Sequence, residues 1–304
     1  MIRHIFKIIW NERKTNSFII LEYVFVFCIL WFCCDYLYFI GKAYYEPLGF
    51  DISNTYSIRM RGDDEETAKL SEDERYSYAL TLIERLKQYP GIEYVSLSNS
   101  SMPYNNSANG ASYFINSDTV IQLFSLRRVS SEFFDVFRIK IAKGKRFDST
   151  DPFSQNYAII SPDRNGYFGN PNTTSYPVSE VGSLINGNIE IMIIGVTEKL
   201  KNRFFDPYAN TVFLPLQKGA HRLESEITFR INPNAATGFE GRFSKDMKDK
   251  LIIGPYIFSE ITSIKEMQKE HTKRSGITNN LNSVYSITSF LIINIFLEIG
   301  RAHV

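Results

Sequence analysis

From Phe18 to Ile40 the chain is apolar almost without interruption, FIILEYVFVFCILWFCCDYLYFI, and Glu22 and Asp35 are its only formal charges. A helix needs roughly 20 residues to cross about 30 Å of hydrocarbon, so these 23 residues predict a transmembrane helix over 18–40. A cleaved signal has a core of about 7 to 15 residues ending in small side chains. This run is longer and ends in Tyr36, Leu37, Tyr38, Phe39 and Ile40. Arg3, Lys7, Arg13 and Lys14 precede it against one acid, Glu12, whereas Glu46, Asp51 and the acids of 63–66 follow it. The positive-inside bias therefore puts the N-terminus in the cytoplasm and the middle of the chain outside, with Tyr36, Tyr38, Tyr44 and Tyr45 at the outer interface. In segment 1–17, Ile2, Ile5, Phe6, Ile9 and Trp10 recur at helical spacing beside Arg3 and Lys7. That pattern predicts a cytoplasmic amphipathic helix lying on membrane lipid, or else an extension of the span.

A second apolar run, Val284 to Leu297, has 14 residues. As a helix it is about 21 Å long, short of the bilayer core. We expect 282–297 to be the start of a second transmembrane helix that is cut short. The seven residues that follow, EIGRAHV, are what one reading frame of a common sequencing-adapter oligonucleotide encodes. Residues 298–304 are therefore expected to be a non-native tail, with the natural chain completing the span.

Segment 41–281, held between the two runs, reads as α+β. Ile52, Tyr56, Ile58 and Met60 predict a strand within Asp51 to Arg61. Ser71 and Glu74 form a capping-box pair that starts a helix, on which Tyr76, Ala79, Leu80, Ile83 and Leu86 recur until Pro90 and Gly91. Further strands are expected at 92–97, 111–115, 120–129, 189–196 and 211–214, and at 227–231, where Ile227, Phe229 and Ile231 alternate. Asn99 to Asn109 is a polar loop. Phe239, Phe243, Met247 and Leu251 mark a helix, and Ser263 with Glu266 starts a last, long helix running into the second apolar run. The fold class is α+β: an N-terminal transmembrane helix, a mixed extracytoplasmic domain of two subdomains, and a C-terminal helix entering a partial second span.

Composition narrows the function. Net charge is +1 and no basic stripe alternates with aromatics, which argues against a nucleic-acid binder. Cys28, Cys33 and Cys34 all lie in the first span, so the middle region folds on its apolar core without disulfides. There is no G-x-x-x-x-G-K-[ST] loop and no G-x-S-x-G elbow, and His4, His221, His271 and His303 are scattered without metal-ligand spacing. The acids at 63–66 and 72–74 lack calcium-loop spacing and read as a solvated loop and helix start. We expect no enzyme, no cofactor and no metal site.

One stretch carries a resemblance. Residues 129–215 run VSSEFFDVFRIKIAKGKRFD, then YAIISPDRNGYFGN, then VGSLINGNIEIMIIGVTEKLKNRFFDPYANTVFLPL. This resembles the MacB-like periplasmic core of FtsX-like permeases: a strand into V-S-x-x-F-F, a G-R-x-F element, an apolar strand before a small helix ending F-G, a V-G turn, and a buried strand ending I-G-V. The matching positions are Val129, Ser130, Phe133, Phe134, Gly144, Arg146, Phe147, Ile159, Ile160, Phe168, Gly169, Val181, Gly182, Ile194, Gly195 and Val196. Lys145 displaces the arginine of the second element by one place, and Ser183 stands where the family often has lysine. Glu298 to Ala302 imitates the family's cytoplasmic E-I-G-x-R-x-A motif but follows Leu297 with no room to finish crossing, so it is not that motif.

The resemblance implies a multi-pass permease of the bacterial inner membrane, with its main domain periplasmic. It belongs to an ABC transporter of the mechanotransmission type, whose cytoplasmic ATPase is a separate subunit. A second permease copy and a periplasmic adaptor are the further partners implied. An extracytoplasmic sensor flanked by two spans, or a tethered adhesion module, is the alternative from another class. Glu22 and Asp35 have two readings: each reaches its nearer interface by snorkelling, or each pairs with another span and fixes bundle packing.

Overall fold

The computed structural model describes residues 7, 13–105, 109–115, 122–148, 156–162, 181–182, 184–186, 190–203, 205–206, 208–217 and 226–301. Along the chain these form α1 (Arg13–Tyr45), β1 (Thr55–Gly62), α2 (Asp64–Ala68), α3 (Glu72–Lys87), β2 (Ile92–Asn99), β3 (Asn109–Ile115), β4 (Gln122–Val129) and α4 (Phe133–Val136). There follow β5 (Ile141–Gly144), β6 (Tyr157–Ser161), β7 (Leu184–Asn186), β8 (Glu190–Thr197), β9 (Thr211–Pro215) and β10 (Glu226–Ile231). The chain ends in α5 (Phe239–Met247), β11 (Ile252–Ile253), β12 (Tyr256–Ser263), α6 (Ile264–Arg274) and α7 (Ile277–Arg301). Apart from residue 7, the predicted surface helix in 1–12 lies outside the described residues, as do the motif residues Phe168 and Gly169. Two compact units result, Met1–Glu46 with Thr272–Val304, and Pro47–His271.

In the first unit, Leu21–Tyr45 is 25 residues of mean hydropathy 2.0, long and apolar enough to cross a membrane. Helices α1 and α7 pack together. The covered or half-covered positions include Val26, Leu30, Cys33, Tyr36, Ile40 and Ala43 on α1 and Leu281, Val284, Thr288 and Leu291 on α7. They are three and four residues apart, the spacing of a left-handed helix seam. Phe25, Phe27, Trp31, Phe32, Tyr38 and Phe39 are exposed, as rings meant for an apolar surrounding are.

The second unit is built on one continuous sheet. Five strands form an open half in the order β11, β12, β1, β10, β2, joined antiparallel throughout. Beyond β2, the strands β4, β3, β7, β8, β6 and β9 close on themselves because β9 returns parallel to β4, Ser125 opposite Thr211 and Leu126 opposite Val212. Closure hides the backbone edges that an open sheet would leave for intermolecular pairing. Strand β5 pairs onto β8 beside β7.

Three apolar clusters follow from this plan. Helices α3 and α5 cover one face of the open half, burying Ala79, Leu82 and Leu86 with Phe229, Phe239 and Phe243. Helix α3 starts with the expected capping box, both arms present between Ser71 and Glu74. Its inward stripe runs Ala79, Leu82, Leu86, however, and Leu80 is exposed, because Leu80 lies about 100° around the helix from Ala79. The closed half encloses Phe124, Ala158, Ile160, Ile185, Ile193 and Val212. The third cluster lies around α4 and includes Phe50, Val129, Phe133, Phe134, Phe213 and Ile264.

The long last helix is interrupted. Ser263 Oγ accepts the Glu266 amide at 3.2 Å and starts α6 as expected. Gly276, at φ +72, then takes the left-handed conformation that ends a helix, and α7 begins one residue later.

Candidate functional site

The chain enters the Pro47–His271 unit through 47–53, and each residue of this segment is held. Tyr208 Oη donates to the Pro47 carbonyl at 2.9 Å, and the Lys201 amide donates to the Leu48 carbonyl at 3.0 Å. Gly49 has φ +79, and a Cβ there would stand 2.2 Å from the Lys199 carbonyl oxygen, so only glycine fits. Phe50 is buried in the third cluster. The Asp51 amide donates to the Phe137 carbonyl at 2.8 Å.

Arg230 fixes the same segment from below. It is 1% exposed on β10 and uses its whole fork: Nε donates to the Val136 carbonyl at 2.6 Å, Nη1 to the Ser53 carbonyl at 2.8 Å, and Nη2 to the Asp51 carbonyl at 2.6 Å. Asp51 Oδ2 is 3.3 Å from Arg230 Nη1 and 3.3 Å from Arg138 Nη1. Burial pushes the Asp51 carboxyl up, but the hydrogen bonds from Ser53 and the two guanidinium charges outweigh it and hold the group below the usual carboxylate range. Burial in turn pushes Arg230 down, opposed by the Asp51 charge.

The chain leaves through β12 and α6, and this segment reaches the same cluster. Ile264, fully buried, belongs to it, and Met267 packs on its edge. Gln268 Nε2 donates to Tyr104 Oη at 2.9 Å. The Tyr104 ring lies 6.3 Å from the Phe50 ring and 6.1 Å from the His271 ring. Tyr104 thus bridges the incoming and outgoing segments. Burial pushes its phenol up to about 12, against the lowering effect of Gln268. Tyr104 sits at φ +63 in the loop after β2, and Glu226 holds that loop. The Glu226 carboxylate accepts from Ser98 Oγ at 2.7 Å, the Ser101 amide at 2.8 Å, the Met102 amide at 2.7 Å and Asn105 Nδ2. Its charge also opposes the loss of charge on Arg127, which burial pushes down to about 10 and whose Nη2 donates to Asn202 Oδ1 at 2.6 Å.

Part of the sequence motif lies in this root. Val129, Phe133, Phe134 and Phe147 share the cluster with Phe50 and Ile264, and the rings of Phe133 and Phe134 lie 6.3 and 5.4 Å from that of Phe213. Arg146 pairs with Asp135 on α4 and lies 5.9 Å from the Phe134 ring centre. Gly144 and Gly195 face each other across β5 and β8, and a Cβ on either would strike backbone, the Ile194 oxygen at 2.1 Å or the Lys145 oxygen at 2.4 Å. Gly182, at φ +98, is in a separate turn whose amide donates to the Ile193 carbonyl at 2.8 Å. Glu22 and Asp35 are both exposed on α1, 13 residues and so about 20 Å apart along the axis.

Sequence reasoning missed Asp51, Tyr104, Glu226 and Arg230. The signal for Arg230 was an arginine inside a strand, and the alternation of Ile227, Phe229 and Ile231 sends it to the opposite face. Among the described residues no group of three or more His, Cys, Asp or Glu side chains is placed to hold a metal ion.

Comparison with known proteins gives the family. Residues 43–238 match the MacB-like periplasmic core domain, more than half of the chain. Three solved structures are similar in outline. One is the extracellular domain of the noncanonic ABC-type transporter YknZ from Gram-positive bacteria, at 17% identity and TM-score 0.41, covering 68% of this chain and 100% of that one. The second is the periplasmic region of MacB from Actinobacillus actinomycetemcomitans, at 14% identity and TM-score 0.43, covering 75% and 97%. The third is a domain of a putative permease protein from Porphyromonas gingivalis, at 11% identity and TM-score 0.40, covering 71% and 93%. No curated protein matches the sequence. With an apolar N-terminal helix ahead of a core domain matched over 43–238, the chain belongs to the MacB-like periplasmic core domain family, the family of ABC transporter permeases.

Proposed function

We propose that the chain is the permease of an ABC transporter of the mechanotransmission type, in which ATP hydrolysis by a separate cytoplasmic subunit moves an exported domain. In this reading 18–40 and the run from 282 are spans, 41–281 lies in the periplasm, and two permease copies work together with a periplasmic adaptor. The observation that carries it is the shared root. The segment arriving from α1 and the segment leaving by α6 both bury side chains, Phe50 and Ile264, in one cluster. Packed cores switch between discrete arrangements rather than stretch, so displacement applied at two ties that share a core moves the domain as a body. Glu22 and Asp35 then serve as pairing groups toward the other spans of the assembly.

Purification of the natural full-length chain with its ATP-hydrolysing subunit tests this. The pair is expected to co-purify, and Phe50→Ala is expected to leave ATP hydrolysis within about twofold while reducing export at least about tenfold, since the root and not the nucleotide site is altered. Glu22→Leu is expected to reduce the share of assembled complex. A chain that captures no ATPase, or a Phe50→Ala variant in which export and hydrolysis fall together, contradicts the proposal.

A further inference from the structure

A groove on the closed half borders the third cluster, to which Ile194 and Tyr157 in its lining also belong, and takes no part in tying the incoming segment to the outgoing one. Tyr157 and Met192 stand opposite each other on β6 and β8 and form part of its floor. Ile194, Val181, Gly144 and Lys145 also line it, and the cavity measures about 430 Å³. That volume is in the range of small-molecule sites. Met192 and Val181 are 43% and 47% exposed, which costs free energy unless something apolar covers them.

The charges nearby single out one group. Arg138 pairs with Asp51 and Arg146 pairs with Asp135, so two of the cations flanking β5 are already neutralised. Lys145 is exposed, is the one charged residue in the lining, and has no ion-pair partner among the described residues. An apolar trough lined by one lysine that has no ion-pair partner among the described residues fits a ligand with an apolar chain and a single negative end.

We propose that this groove binds an anionic amphiphile of the alkyl carboxylate class, its chain against Met192, Ile194 and Tyr157 and its head at Lys145. The site does not depend on the transport reading, since it needs only the fold of the closed half. Charge and chain are both required: the chain supplies transfer free energy, and the ammonium selects the anion.

The test uses the full chain in lipid nanodiscs with a twelve-carbon carboxylate bearing a photoactivatable diazirine, and adducts are mapped by mass spectrometry. Adducts are expected on peptides containing Tyr157 or Met192, displaced by dodecanoate and not by dodecanol. Lys145→Glu is expected to weaken displacement about tenfold, and Lys145→Arg to restore it. Both variants are at an exposed position, and Met192→Asp, which puts a negative charge in the trough to repel the carboxylate, is expected to abolish the adducts independently. Equal competition by dodecanol, an unchanged Lys145→Glu variant, adducts confined to the spans, or displacement by an acidic leucine-rich peptide but not by dodecanoate each overturn the proposal.

Discussion

Arg230→Leu is expected to lower the unfolding free energy of the Pro47–His271 unit by about 3 to 5 kcal/mol, the range for removing one partner of a buried charged network. The leucine fills part of the volume but donates nothing, so the carbonyls of Asp51, Ser53 and Val136 lose their donors, that of Val136 in a fully buried position and the other two where they are partly covered. Urea unfolding of the full chain in a mild detergent, followed by the β-sheet circular dichroism signal, reads the effect as a lower midpoint at unchanged slope. Its pH dependence carries a sign. The Asp51 pKa is lowered on folding, so its contribution is fully present above the ordinary value of 3.8 and is lost as pH falls through the folded value. Removing Arg230 takes away part of that lowering, and the gap between the two proteins is therefore expected to narrow in acid. A shift under about 1 kcal/mol with no narrowing contradicts the role assigned to Arg230.

Phe134→Ala is the second large effect, a loss of about 3 to 5 kcal/mol. Phe134 is fully buried, packs with Phe147 and Phe213 at ring distances of 5.9 and 5.4 Å, and lies beneath the Arg146 guanidinium. Truncation leaves a cavity that the surrounding rings and the sheet are too constrained to fill. Phe134→Leu, which keeps most of the volume, is expected to cost under half as much. The same unfolding measurement separates them, and equal losses for alanine and leucine would show that ring packing is not what Phe134 supplies.

The sequence made some parts of this architecture legible because one local rule decided each of them. The uninterrupted apolar run dictates α1, Ser71 with Glu74 dictates the start of α3, and the V-S-x-x-F-F stretch forms α4 beside Phe213. Where two rules competed, the pattern misled. Ile227, Phe229 and Ile231 alternate as a strand with one wet face does, yet Thr228 and Arg230 are buried as well, since β10 lies between β1 and β2 with apolar clusters on both faces. Strand β12 was hidden because Ile257 breaks the alternation of Tyr256 and Phe258. The closure of the second half rests on β4 pairing parallel with β9 across a long stretch of chain, and no local signal specifies such a pair. The bridge made by Tyr104 was illegible for a related reason, since a tyrosine in a polar loop looks solvated until Glu226 folds that loop onto α6.

Native-state hydrogen exchange on the full chain tests the shared root most directly. If the incoming and outgoing segments are parts of one cooperative core, the Asp51 amide, bonded to Phe137, and the backbone amides of α6 near Met267 open with the same free energy, equal to that of β10. The Phe50→Ala variant then lowers both together. Exchange of the α6 amides at a free energy well below that of Asp51, with Phe50→Ala affecting only the incoming segment, would contradict it.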